Sequence, residues 1–143
     1  MANLPVTADI QFIPGYGKLY VDSLVDPSGN PLTVLDIDAG FTFKGRVELP
    51  GWLSGKGLVR LSADEIGGPV DKTIGQQVLA ITGATTPTDP PSITYPWSID
   101  VKSPTLPDDS RMYQFGVVFV FQTPGGGHTD IGGFYDLGAF LVV

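Results

Sequence analysis

The sequence predicts an all-β fold, an antiparallel β-sandwich of seven to nine short strands, and three observations predict it. Apolar and polar residues alternate over several short runs, the period-two pattern of strands with one face in a core. The 19 Gly and 13 Pro fall between those runs instead of in one block, so they punctuate strands. No stretch sustains helical apolar spacing free of Gly or Pro, and no long helix is expected.

Taken in order, residues 6–13 and 18–25 are the first, weaker strand candidates. The connection from 13 to 36 is longer than a sandwich's first link requires, so residues 1–36 are read as an extra arm or hairpin on a single domain, 1–143. The clearest strand is 41–49: Phe41, Phe43, Val47 and Leu49 share one face, and Thr42, Lys44, Arg46 and Glu48 the other. Residues 57–66 and 72–82 follow. The polar, Pro-rich segment 83–94 then reads as a crossing between sheets. In 95–101, Tyr95, Trp97, Ile99 and Val101 alternate with Ser98 and Asp100. Residues 112–123 are apolar on both faces from Gly116 to Phe121, the pattern of a central strand covered on both sides. A last strand is expected at 138–143, after a glycine-rich hairpin loop at 125–127. The shared core should contain Phe43, Val47, Trp97, Ile99, Phe115, Val117 and Phe119.

Residues 108–115, DDSRMYQF, resemble the segment that opens strand F of immunoglobulin-like domains. Asp109 and Tyr113 have the spacing of the acid and the corner tyrosine, and Phe115 stands where a true immunoglobulin domain has its second Cys. Both cysteines are missing, and Trp97 sits on the strand just before, the place of strand E and not of strand C. The resemblance implies an immunoglobulin-like sandwich with the Tyr113 hydroxyl bonded to backbone a few residues upstream. It implies no activity, since that architecture hosts adhesion, recognition and structural roles alike.

Composition narrows the chemistry. With no Cys, disulfides, thiolate metal sites and cysteine nucleophiles are excluded. Fifteen acids against eight scattered bases, a net charge of −7, repel phosphate backbones, so no nucleic-acid partner is expected. No apolar run is long enough to insert in a membrane, and the amino-terminal residues lack the pattern of a secretory signal. A cytoplasmic location, or an assembly built in the cytoplasm, is the expectation.

The individual motifs stop short of a catalytic site. His128, the single histidine, lies in a glycine-rich loop with no nucleophile elbow elsewhere in the chain, so no catalytic residues are assigned. Gly125 to Gly127 lack the Lys and the helix of a phosphate cradle, and no cofactor is expected. Asp36 and Asp38, with Gly40, open like a calcium loop, but Val47 stands where the bidentate acid belongs. No metal site is therefore assigned and these acids are read as solvated at a strand end; were a cation bound, Asp36 and Asp38 would be its ligands, with Asp108 or Asp109 completing the set.

Trp52 and Leu53 stand in ELPGWLSGKG, a glycine-framed turn at the tip of a hairpin. Trp52 has three employments there: plug of the sandwich end, platform for a sugar, or anchor for a protein. The sugar reading recruits Tyr16 or Tyr135, which also adjoin glycine-rich loops. Trp52, Leu53, Tyr16 and Tyr135 are therefore the partner-binding candidates. The expected function is a non-catalytic structural or protein-interaction module, either a subunit of a larger assembly or an accessory recognition module, with another protein or a further copy of the chain as partner. A carbohydrate-binding module is the second reading and a small hydrolase the third.

Overall fold

The computed structural model describes residues 4–11, 17–32, 34–84 and 92–143. These residues form eight strands and no helix: β1 (Val6–Asp9), β2 (Lys18–Val25), β3 (Phe41–Pro50), β4 (Gly55–Glu65), β5 (Asp71–Ile81), β6 (Ser92–Val101), β7 (Arg111–Gln122) and β8 (His128–Val142). They pair antiparallel in two four-stranded sheets, β1-β2-β3-β6 and β5-β4-β7-β8. The all-β expectation holds, and the strands fall where alternation placed them, except for the last.

Alternation explains why the two sheets meet. On β3, the odd-numbered residues from Phe41 to Leu49 are buried; on β6 it is Tyr95, Trp97, Ile99 and Val101, and on β4 Gly57, Val59, Leu61 and Ala63. These faces join those of β2, β7 and β8 in one apolar core. All seven expected core residues lie within it. Its centre is aromatic and bridges the sheets: Phe43 on β3 meets Phe115 on β7 edge-on at 5.6 Å, and Phe140 on β8 lies 6.3 Å from Phe43. Such edge-to-face pairs set the quadrupole of one ring against the rim of the next. Gly45 faces Trp97 across the β3–β6 ladder, and a Cβ there would strike the indole ring and the Tyr20 carbonyl. Trp97 thus packs over Gly45 on the buried face because that neighbour has no side chain.

The glycine-rich tail departs from expectation. Residues 128–137 are strand, not loop, so β8 runs 15 residues from His128. Its weak local propensity is overridden by pairing with β7 along its length, with register shifts near Phe115 and Val120. Glycines suit it because backbone comes close: a Cβ on Gly132 would lie 2.7 Å from the Phe119 carbonyl oxygen, and one on Gly133 3.0 Å from that of Asp9.

Close approach also blocks the sheet edges. Gln11 and Gly132 exchange two backbone hydrogen bonds, and the segment at Leu35 to Ile37 bonds the end of β8 through Leu141 and Val143. On the opposite side the Ser98 amide of β6 donates to Gln77 Oε1 of β5 at 2.7 Å. Side-chain and loop cover of this kind stops edge-to-edge pairing. The described part of 1–36 lies within the same domain: β1 and β2 are two of the four strands of the first sheet, and Leu19, Val21, Leu24 and Leu35 are buried.

Candidate functional site

The turn between β3 and β4 separates Trp52 from Leu53. The Leu53 amide donates to the Pro50 carbonyl at 3.1 Å, a tight turn that carries Gly51 and Trp52 at its tip. Leu53 turns inward to 7% exposure and belongs to the core, while Trp52 stays 47% exposed. Leu53 is thus corrected from contact candidate to core residue, because the turn reverses its direction. The turn is also less free than its glycines suggest. The Gly51 carbonyl accepts from the Ala84 amide, and the Tyr95 hydroxyl accepts from the Gly83 amide at 3.1 Å. Gly55 and Gly57 leave room for Phe121 and Phe119, since a Cβ on either would lie 2.7 Å from a ring carbon.

Tyr135 does not join Trp52. It pairs with Val117 midway along β8 and packs half-buried against the core. Tyr16 lies outside the described residues. Among the described residues, then, Trp52 has no second candidate aromatic on its platform.

Asp36 is a turn former. Its Oδ1 accepts the amides of Asp38 at 3.0 Å and Ala39 at 3.3 Å, which closes the bend before β3. Asp109 is held by both arms of the Arg111 guanidinium, at 2.6 and 2.8 Å, and Arg111 reaches Glu65 at 3.2 Å. That pairing lowers the Asp109 carboxyl below its ordinary range and raises Arg111. No three His, Cys, Asp or Glu side chains gather as a metal cluster among the described residues. His128 is exposed at the first position of β8.

Tyr113 corrects the expectation of a corner hydrogen bond. Its ring is fully buried and stacked on Phe115 at 6.3 Å, but the hydroxyl has no hydrogen-bond partner among the described residues. Burial raises its pKa. The ring fills core space, and its polar tip is left unsatisfied.

The two outer faces differ most. On the first sheet, polar groups satisfy one another across strands. Lys18 of β2 pairs with Asp9 of β1, and the hydrogen bond to Asp9 raises the lysine pKa. Arg46 of β3 lies 4.0 Å over the Tyr20 ring and 3.4 Å from Asp22. Thr42 donates to Asp100 of β6 at 2.6 Å.

The second sheet's outer face carries an apolar band across all four strands. Val78, Leu58, Val120 and Gly132 form one cross-strand row, and Gln76, Arg60, Val118 and Phe134 the next. Val78 and Phe134, on the two edge strands, are 62% and 59% exposed. Leu58, Val118 and Val120 between them are half-buried, Gln11 borders the depression at Val118 and Val120, and no described strand lies over them. The Phe134 ring rests over Gly116, where a Cβ would lie 2.9 Å from it, and forms a ridge between two shallow depressions. Arg60 interrupts the second row and Lys56 stands beyond the first, neither with an ion pair among the described residues. Asp130 of β8, Asp136 of β8 and Asp64 of β4 border it as well, and Asp136 accepts from Gln114 of β7 and from the Gly138 amide.

The sequence reading expected this part of β7 to be covered on both sides; its outer residues Val118 and Val120 are half-buried, and no described strand lies over them. Leu58, Val78 and Phe134 were missed altogether. Their signal was present as apolar residues in the polar phase of three strands. Comparison of the chain with known protein families, with curated proteins and with solved structures finds no match in any of the three.

Proposed function

We infer that the chain is a non-catalytic immunoglobulin-like module that works by protein contact as part of a larger assembly, with the outer face of β5-β4-β7-β8 as its contact surface. Support for the fold is the strand order. If β2 to β8 are lettered A to G, the sheets run A-B-E and G-F-C, the immunoglobulin arrangement, with strand D moved to pair with C and β1 added outside A.

A single observation carries the function: an apolar band crosses the outer face of all four strands of the second sheet. Monomeric proteins seldom leave contiguous apolar surface of this breadth uncovered, because burying it against a partner releases about 25 cal/mol per Å². Sheet faces with an aromatic ridge and flanking charges match the make-up of protein interfaces, whose anchors are aromatic and Arg side chains.

The test is gel filtration of an extract from cells that express the tagged chain. Wild type should elute above its monomer position, and Leu58→Lys with Val120→Lys should return it there. Release by Trp52→Ala alone would move the contact to the β3–β4 turn. Elution of wild type as a monomer would end the interaction reading.

A further inference from the structure

We draw no further inference here: the strongest candidate, the apolar band on the outer face of β5-β4-β7-β8 with the depression among Asp64, Gln114, Phe134 and Asp136 beside it, belongs to the contact surface already described, and nothing in the structure shows what covers it.

Discussion

The outer faces of the two sheets are built from the same strand geometry and do opposite things. On the first, Lys18, Asp9, Arg46, Tyr20, Thr42 and Asp100 spend their hydrogen bonds and charges on one another. On the second, Val78, Leu58, Val118, Val120 and Phe134 lie in a band that Arg60 interrupts. The second keeps apolar side chains in its polar phase, and the reading proposed above is that a partner covers them. A sheet's outer face is thus informative when its polar phase is interrupted, because an apolar residue there adds nothing to the fold's own core and raises the risk of aggregation.

The largest effect that sharpens this contrast comes from the glycines on either sheet. Gly45→Ala should destabilise by about 3 kcal/mol, the upper range of overpacking, because both the Trp97 ring and the fixed Tyr20 backbone oppose the new Cβ. Gly116→Ala should cost well under ~1 kcal/mol, since only the mobile end of the exposed Phe134 ring must move. Denaturant unfolding of the two variants reads both. Equal losses would mean that the second face is packed as tightly as the core.

Next is the band itself. Leu58→Lys with Val120→Lys should weaken association by about 2 kcal/mol or more, the range of interface anchors, and leave the monomer's unfolding midpoint nearly unchanged. Sedimentation across a dilution series, beside thermal melts, separates the two quantities. A large fall in stability with association intact would make the band structural.

On the first face, Arg46→Ala should cost about 0.5–1 kcal/mol, the worth of an exposed cation–π contact with a surface ion pair, and leave association untouched. Loss of assembly in this variant would place a contact on the wrong sheet.

Tyr113→Phe should leave stability unchanged or raise it by up to ~1 kcal/mol, because the change removes a buried hydroxyl with no partner. A loss of that size would instead restore the corner hydrogen bond expected from the sequence.

The smallest effect is on pH dependence. Asp109, held by Arg111, and Asp26, held by the amides of Asn30 and Ser28, both have lowered carboxyl pKa values. Each therefore adds stability that is present above the unfolded carboxylate value near ~4 and is lost as pH falls through the folded one. The thermal midpoint should decline below that point, and Asp109→Asn should flatten the decline slightly. An unchanged profile in that variant would remove Asp109 as a contributor.

How much of this was legible follows from what alternation encodes. The sequence of β3 and β6 reveals their buried faces because each second residue is polar, and Phe43 and Trp97 were placed correctly on that ground. β8 was largely missed: Gly132, Gly133 and Gly138 look like loop, and their use as points of close backbone approach depends on which strand lies alongside. Leu53 was misread because a single tight turn decides whether adjacent residues face water or core. The apolar band was half legible. Gly116 to Phe121 announces two apolar faces, but the sequence of one strand cannot say whether its second face is covered by the same chain or by another. Leu58, Val78 and Phe134 gain meaning only when the register sets them in neighbouring rows.

The most direct test of the difference between the faces is hydroxyl-radical footprinting of the chain in its assembled state and after dilution to monomer. Phe134 on the second sheet should be oxidised several-fold more slowly in the assembled state, while Tyr20 on the first sheet reacts equally in both. Equal reactivity of Phe134 in the two states, or protection of Tyr20 in its place, would contradict the assignment of the β5-β4-β7-β8 face as the surface by which this protein works.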